Sequence, residues 1–416
     1  MIIIAKKMIG LTRQLWLAAP ANPVQHVFTV QKAIGIELQS RRSFGLQSVG
    51  LAAMVGASML YYPSANAQPG KTTGRSIAVA QMVDFSNAHQ DVSKDFLIGS
   101  RAAWQDINSH GGVKGKQVNH ITYELDGSAA GLQTSLEAVR TNLDCIAVFG
   151  TASDPMAIAV SNALHNSATP VAHIAPWLHS AGADASRNTF SIFASSQDQI
   201  SHALKSLTGL GVQSIAVVFA TVADMRQNQA DIVRIGQALG LGTQIHPFNA
   251  NLRMAGQLIS SSTPAVILFV GGTPELAQFT QGLEKQARQR YIVALADVNL
   301  QTLQQMGAGK NTPVIATQPV PMVNASLPVV RKYREIMARL YDEPLSSLSL
   351  AGFISARYTF EVISAVNGPL SRASVLEALM RRKDTDIGGF RVAVGNKVGS
   401  SYVTQSMLAQ DGRVIG

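Results

Sequence analysis

The 416-residue chain is poor in cysteine and in aromatic residues, and both shortages limit what it can be. Its single cysteine, Cys145, excludes an intramolecular disulfide. Because Cys145 begins the apolar run CIAVF at 145–149, we expect a small buried side chain there rather than a reactive thiol. Aromatic residues make up 6% and apolar residues 46% of the chain, which at this length indicates two α/β lobes rather than one domain.

The short motifs of catalysis and cofactor binding are missing as well. The segment GTASDP at 150–155 lacks the second glycine of a Gly-x-Ser-x-Gly nucleophile elbow, and GAGKNT at 307–312 lacks the leading glycine of a phosphate loop. No Gly-x-Gly-x-x-Gly motif opens either lobe. His165, His173 and His179 fall on a helix, a strand and a loop without a metal-binding spacing. We therefore expect a protein that is not an enzyme and that has no metal or cofactor site.

The basic excess is concentrated near the amino terminus. The chain carries 34 Lys and Arg against 25 Asp and Glu, a net charge of +9. Residues 1–67 hold six of the basic residues and one of the acidic ones, which leaves 28 against 24 in the remainder. A remainder that is only mildly basic gives little support to a nucleic-acid partner, so we expect none.

The amino-terminal segment has the pattern of an export signal. The run SRRSFGL at 40–46 is similar to the twin-arginine pattern, and a weakly apolar stretch follows at 49–60. The residues Ala65, Asn66 and Ala67 supply a small-x-small cleavage site. We do not expect a membrane anchor, because the apolar stretch is too short for a spanning helix and is interrupted by glycine. No cysteine follows the stretch, so there is no site for lipoprotein acylation. We expect a periplasmic protein, exported by the twin-arginine route or, as the alternative, by the general secretory route.

The segment after the signal reads as one complete βαβ unit. The run IAVAQMV at 77–83 lacks polar alternation, as expected of a strand covered on both faces in a parallel sheet. Apolar residues at helical spacing predict a helix over 95–108, Gly111 and Gly112 end it, and a strand returns at 118–125. The strand's carboxyl end and the helix's amino end then share one rim, where open α/β sheets bind ligands.

Strands and helices continue to alternate in two similar series, which predicts an α/β protein of two doubly wound parallel-sheet lobes. Two long helices, 327–341 and 349–366, follow without a strand between them, so we expect them to pack back on an earlier lobe. A chain that crosses between lobes more than once forms a hinge. The remaining predicted strands lie at 145–149, 170–174, 214–220, 265–271 and 291–296, with two antiparallel ones at 389–394 and 401–408.

The loop after the strand at 145–149 is the first candidate site. It places small hydroxyl side chains and free amide groups at the start of a helix, which favours a bound carboxylate. Ser153 or Asp154 can instead act only as the cap of a helix whose first residue is Pro155. Thr151 is the better candidate for ligand contact.

Trp177 and Asp297 stand at the ends of strands in different lobes. Trp177 either stacks on a ligand or packs the lobes together, and the aromatic linings of pockets favour the first role. Asp297 pairs with a ligand amine or remains a solvated loop acid. Gln318, between the lobes, contacts ligand or braces the hinge. The predicted ligand-binding residues are Phe85, Ser86, Thr151, Ala152, Ser153, Ala175, Pro176, Trp177, Phe219, Thr221, Gly272, Asp297 and Gln318.

Several runs, in a fixed order, are similar to one family. The chain resembles the type I periplasmic solute-binding proteins of ABC importers, the Leu/Ile/Val-binding group, over essentially all of residues 76–416. Each motif alone is loose, but their order along the chain is fairly specific. The runs are INSHGGVKG at 107–115, FGT at 149–151, ATQPVP at 316–321, LAGF at 350–353, IGGF at 387–390 and DGR at 411–413.

The resemblance implies two lobes that close on a small molecule, joined by three segments. These segments would lie near 190–195, 316–321 and 388–392. The first lobe would then comprise 76–193 with 319–389, and the second 194–318 with 390–416. It also implies an inner-membrane ABC permease as partner and a monomeric state. In amino-acid-binding members, loops matching Thr151 to Ser153 and Ala175 to Trp177 hold the ligand carboxylate, and an acid near Asp297 holds the amine.

One departure from the family bears on the ligand. The second-lobe loop after Val218 usually carries a pattern resembling Tyr-x-x-Asp-x-x-Gly, but here it reads FATVADM at 219–225. The ligand is therefore not inherited from the resemblance, and amino acids, aromatic or aliphatic acids and amides all remain candidates. A ligand sensor that signals to a membrane receptor or regulator is the alternative to a transport protein.

Overall fold

The computed structural model describes residues 76–415 except 168–169, 181–186, 285, 287, 310, 382, 394–398 and 410. The predicted export signal lies outside the described residues. Within the described part of the chain, no helix is both long enough and apolar enough to cross a bilayer.

The first five strands form one parallel sheet. Strand β1 pairs with β2 on one side and with β3 on the other, so the chain is wound in both directions from β1. All eight residues of β1 are buried, as the unbroken apolar run predicts. The strands are β1 (Ile77–Asp84), β2 (Val118–Leu125), β3 (Cys145–Phe149), β4 (Ala172–Ile174) and β5 (Thr189–Phe190), in the order β2-β1-β3-β4-β5.

A second sheet has seven strands, of which the last two in the chain run antiparallel to their neighbours. This antiparallel ending confirms the prediction for the segment 401–408. The strands are β6 (Ser214–Phe219), β7 (Gly242–Ile245), β8 (Val266–Val270), β9 (Tyr291–Ala294), β10 (Val314–Gln318), β13 (Thr404–Leu408) and β14 (Val414–Ile415), in the order β14-β13-β10-β9-β8-β6-β7. A separate hairpin joins β11 (Thr385–Ile387) to β12 (Phe390–Val392).

Helices cover both sheets. We call the five-stranded sheet with the helices packed on it the first lobe, and the seven-stranded sheet with its helices the second lobe. The helices of the first part of the chain are α1 (Gln90–Ser109), α2 (Ala129–Thr141), α3 (Asp154–His165), α4 (Ser196–Gly209), α5 (Val222–Ala238) and α6 (Leu252–Gln257). The later ones are α7 (Thr273–Leu283), α8 (Leu300–Gln305), α9 (Pro328–Leu340), α10 (Ser347–Ser364) and α11 (Arg372–Met380).

The late helices α9 and α10 return to the first lobe, as the sequence predicts. Helices α1 and α10 lie backbone against backbone. A Cβ atom added to Gly99 would lie 1.7 Å from the carbonyl oxygen of Ser349, and one added to Gly352 would lie 1.9 Å from that of Phe96. Only glycine allows this approach, so the contact fixes α10 on the sheet built from the start of the chain.

Helix α1 begins at Gln90, five residues before the predicted start. The prediction rested on apolar spacing from Phe96 onwards, and the first turn carries the polar residues Asp91 and Ser93 instead. Gly111 and Gly112 have φ angles of +99° and +68°, which confirms that they end the helix in left-handed conformation. Cys145 is buried, and burial raises the pKa of its thiol to about 11, as expected of an unreactive side chain.

Candidate functional site

The two lobes meet where strands of both sheets end. Across this junction the indole Nε1–H of Trp177 donates to Oδ1 of Asp297 at 2.8 Å, and Nδ2 of Asn299 donates to Oδ2 of Asp95 at 3.0 Å. Gln227 of the second lobe also donates to the hydroxyl of Ser180. The lobes are therefore in direct contact at the rim where the sequence predicts the ligand.

Trp177 forms the centre of this junction. Its ring is 1% exposed and packs edge-on against Phe96, His179 and Phe193, with ring centroids at 5.8, 4.4 and 5.3 Å. The structure thus shows the lobe-packing role of Trp177. A stacking role toward a ligand stays a prediction.

The hydroxyl of Thr151 lies inside the first lobe. It makes a 2.8 Å hydrogen bond with Nε2 of His173, whose Nδ1 lies 3.3 Å from the hydroxyl of Thr189. Complete burial lowers the pKa of His173 to about 3, so the imidazole is neutral at pH 7. Thr151 is buried with this histidine, and its contact with a ligand stays a prediction.

Ser153 is a helix cap. Its Oγ accepts from the N–H of Met156 at the start of α3, and its hydroxyl donates to Oδ2 of Asp84 at 3.0 Å. Both hydrogen-bonding functions of this hydroxyl are therefore used within the protein. Ser153 has a strained φ of +75°, which these two hydrogen bonds help to maintain.

Asp84 is a functional candidate that the sequence reading missed. It ends β1, is buried, and its Oδ1 accepts from the N–H of Ser86. The first-lobe loop containing Ser153, which the sequence predicts to bind a ligand carboxylate, thus already contacts the carboxylate of Asp84. An acid at the end of an apolar strand was the signal that could have revealed it.

The second-lobe rim carries three further acids. Thr221 and Asp224 form a capping box at the start of α5. Burial raises the pKa of Asp224, and the nearby charges of Asp297 and Glu275 raise it further. The hydroxyl of Thr273 accepts from the N–H of Asn299 at 2.9 Å and lies 3.4 Å from the carbonyl of Asp297.

Two acids on the first turns of α1 face this rim, and the sequence reading missed both. Burial raises the pKa of Asp95, which accepts from Asn299, and burial also raises the pKa of Asp91. Both carboxylate oxygens of Asp91 are buried without a hydrogen bond of normal geometry among the described residues. The Thr273 hydroxyl and the Val92 N–H lower the pKa of Asp91, but burial raises it by more. In the sequence, the spacing of Asp91 and Asp95 by one helical turn, soon after the end of β1, could have indicated these two residues.

The other predicted residues lie at the same junction in structural roles. Ala152 and Ala175 donate backbone N–H groups to Met82 and Phe190 of the first sheet. Gln318 Oε1 accepts from the hydroxyl of Ser406 on the neighbouring strand β13 at 3.3 Å, and its role toward a ligand or a hinge stays a prediction. Four of the remaining five are Phe85 and Ser86 beside Asp84, Pro176, buried next to Trp177, and Phe219, buried at the end of β6. Gly272, which caps α7, lies near the carbonyl of Ala88.

Comparison with known proteins gives one family and many similar folds. A family profile described as "Periplasmic binding protein" matches residues 76–408. No curated protein sequence matches the chain.

Three solved structures illustrate the likeness in fold. An extracellular ligand-binding receptor from Verminephrobacter eiseniae superposes with a TM-score of 0.74 at 17% identity, covering 82% of this chain and 100% of that one. A fatty acid ABC transporter substrate-binding protein from Thermomonospora curvata gives 0.70 at 14% identity, covering 81% and 90%. The branched-chain amino acid transporter substrate-binding protein LivJ from Streptococcus pneumoniae, solved with isoleucine, gives 0.69 at 14% identity, covering 82% and 98%.

At these identities the solved structures show the fold alone, which is that of type I periplasmic binding proteins. The family profile covers most of the chain, including the first sheet and all of the second sheet except β14. The chain therefore belongs to the periplasmic binding protein family.

Proposed function

We propose that this protein is the exported substrate-binding protein of an ABC transporter. It captures a small polar or carboxylated solute between its lobes and delivers it to an inner-membrane permease. The observation that carries the proposal is the junction itself: two lobes meet through Trp177, Asp297, Asp95 and Asn299 at the predicted ligand rim. A ligand that contacts both lobes stabilises the closed arrangement, because its full set of contacts exists only there.

The proposal includes the lobe boundaries and the route of export. The first lobe comprises 76–193 with 319–389, and the second 194–318 with 390–416. The signal is cleaved after Ala67 following transport by the twin-arginine route. Replacing Arg41 and Arg42 together by lysine should block export, measured by fractionation of periplasm and cytoplasm. Continued export of this variant would indicate the general secretory route.

A thermal-shift screen against amino acids, aromatic and aliphatic acids, and amides tests the binding function. A ligand at about 100 times its dissociation constant stabilises a protein by about 2.7 kcal/mol, which is readily measured as a higher Tm. If a folded sample responds to no small molecule, the binding function is refuted. With a ligand in hand, Thr151→Val and Asp297→Asn should each weaken its binding, and unchanged affinity in both would refute the site assignment.

A ligand sensor is the second candidate, supported by the description of the V. eiseniae relative as a receptor. Measurements of ligand uptake and of the transcriptional response to the ligand distinguish the two functions. Deleting the gene should abolish high-affinity uptake of the identified ligand if the protein serves a transporter. Normal uptake, together with a lost transcriptional response to the ligand, would identify a sensor.

A further inference from the structure

One short segment of the second lobe makes three separate hydrogen bonds to the first lobe. Asp297, Asn299 and Gln301 occupy alternate positions of this segment, and each bonds to a different element of the first lobe. The intervening residues Val298 and Leu300 are buried in the second-lobe core. The segment thus turns its polar side chains toward one lobe while its apolar side chains attach it to the other.

The bond made by Gln301 does not involve the strand ends that form the predicted ligand rim. Its Nε2 donates to the carbonyl oxygen of Leu345 at 2.5 Å, and both residues are half-buried. Leu345 directly precedes the cap of α10, whereas the first-lobe residues predicted to bind a ligand follow β1, β3 and β4. This contact therefore joins the lobes without using a predicted ligand-binding residue.

The Leu345 carbonyl is held in place by the first lobe. The side chain of Leu345 packs against the first-lobe core. The next residue, Ser346, forms a capping box with Ser349 at the start of α10, and its N–H donates to the hydroxyl of Tyr333 at 3.3 Å. Helix α10 is itself fixed on α1 by the close contact at Gly352. The acceptor is therefore positioned before the lobes meet.

Gln301 is positioned by the second lobe in the same way. Oδ1 of Asn299 accepts from the N–H of Gln301 at 3.1 Å and from that of Thr302 at 3.3 Å, and so caps α8. Leu303, in the same helix, is buried in the second-lobe core. Donor and acceptor thus both lie at capped helix starts, and a bond between preorganised groups loses less conformational entropy when it forms.

We propose that Gln301 and the Leu345 carbonyl form a latch that holds the lobes together in the ligand-free protein. The bond exists only when the lobes approach, so it raises the fraction of closed molecules. Under the proposed function, a ligand that contacts both lobes gains affinity from this fraction without touching Gln301. That consequence rests on the proposed function, whereas the latch is a property of the protein without ligand.

Gln301→Ala in protein purified without added ligand tests the latch. Loss of one hydrogen bond should lower the ratio of closed to open molecules about two- to tenfold. We expect a larger radius of gyration by small-angle X-ray scattering. Trp177, 1% exposed at the junction, reports opening independently. In a Trp104→Phe background its emission should shift to longer wavelength as the indole gains contact with water.

Gln301→Glu is a second variant of nearly the same shape. It removes the N–H donors and turns a carboxylate toward the Leu345 carbonyl, so it should open the lobes further than Gln301→Ala. A carboxylate in the first turn of a helix is favourable, so α8 should remain folded. Gln305→Ala is the matched control, because Gln305 is exposed on the same helix and, among the described residues, no hydrogen bond joins it to the first lobe.

Equal radii and equal Trp177 emission for the wild type and both Gln301 variants would overturn the inference. The same result with a lower urea midpoint would assign Gln301 a purely local role in the stability of α8, and the latch would again be refuted. Equal opening in Gln305→Ala would also contradict it, because the Leu345 contact would then not be the cause. No measurement uses a ligand, so failure of the latch leaves the binding function intact, and failure of the ligand screen leaves the latch intact.

Discussion

Trp177 in the first lobe and Asp297 in the second, 120 positions apart in the chain, are joined by a 2.8 Å hydrogen bond. A hydrogen bond to a charged group stabilises by about 1.5–3 kcal/mol, so this contact alone favours lobe closure appreciably. The lobes are thus held in contact by the protein's own side chains, and under the proposed function a ligand that bound Asp297 would compete with the indole.

Trp177→Phe tests this contribution to closure. Phenylalanine keeps an aromatic ring among Phe96 and Phe193 but removes the N–H that reaches Asp297. We expect the ligand-free protein to open, measured as a larger radius of gyration by small-angle X-ray scattering. Trp104→Phe is the matched control, because Trp104 lies in the first-lobe core and its Nε1 has no hydrogen-bond partner. Equal radii for both variants would contradict the role of the Trp177 bond.

Asp91→Asn should stabilise the ligand-free protein at pH 7. Burial holds the folded-state pKa of Asp91 above its ordinary value of 3.8, so the folded protein binds the proton more tightly than the unfolded chain does. Stability from this group is present below pH 3.8 and is lost as the pH rises through the raised pKa. The gain from the substitution should therefore shrink on acidification, as measured by urea unfolding between pH 3 and 7.

Asp126→Asn is the control of opposite sign. Ser128 donates hydrogen bonds to this exposed carboxylate and lowers its pKa, so its small contribution is present at neutral pH and lost on acidification. For Asp91→Asn itself, a loss of stability at pH 7 would contradict the prediction, because it would show that the folded protein stabilises the Asp91 carboxylate.

His120→Gln should flatten the loss of stability in acid. Burial, with a smaller contribution from Arg101, lowers the pKa of His120 to about 3, while the unfolded chain titrates near 6.5. Between these values the unfolded chain binds more protons, so each histidine of this kind costs up to about 1.4 kcal/mol per pH unit as the pH falls.

Glutamine can still donate to Oε1 of Gln81, the acceptor that His120 contacts at 2.8 Å. The measurement is the free energy of unfolding at several pH values from 7 to 4. The exposed His165 provides the control, since His165→Gln should follow the wild-type curve. Parallel curves for the His120 variant and the wild type would refute the assignment.

Gly352→Ala should strongly destabilise the first lobe. Its added methyl group would lie 1.9 Å from the carbonyl oxygen of Phe96, so helices α1 and α10 must separate. Overpacking typically costs about 1–3 kcal/mol, and a backbone-to-backbone clash belongs at the upper end or beyond it. In contrast, Gly209→Ala at the end of α4 meets no atom within 4 Å and should be neutral or slightly stabilising. Equal urea midpoints for the two variants would contradict the close packing.

The buried strands were the most predictable elements, because a strand covered on both faces leaves an unbroken apolar run. The predicted bounds of β2 and β3 coincide with those observed. The four-residue β7 was missed, since its alternately exposed residues give too short a pattern. The early start of α1 was missed because its first turn is polar.

The candidate site was predictable in position and less so in chemistry. Strand ends placed Thr151, Trp177 and Asp297 at one rim, and in the structure Trp177 bonds to both of the others. Their contact with a ligand stays a prediction. The sequence could not show that Trp177 bonds to Asp297, or that Asp91 is buried, because both depend on how the lobes approach each other. Long-range contacts of this kind have no local pattern.

The glycine contact between α1 and α10 also determines when the first lobe can finish folding during synthesis. Gly99 and Gly352 are separated by most of the folded chain, yet each needs the other's helix to bury its surface. A ribosome that has made only the first sheet therefore holds an incomplete hydrophobic core, and this lobe cannot finish folding until α10 has emerged. The first half of the protein to be synthesised is thus completed among the last.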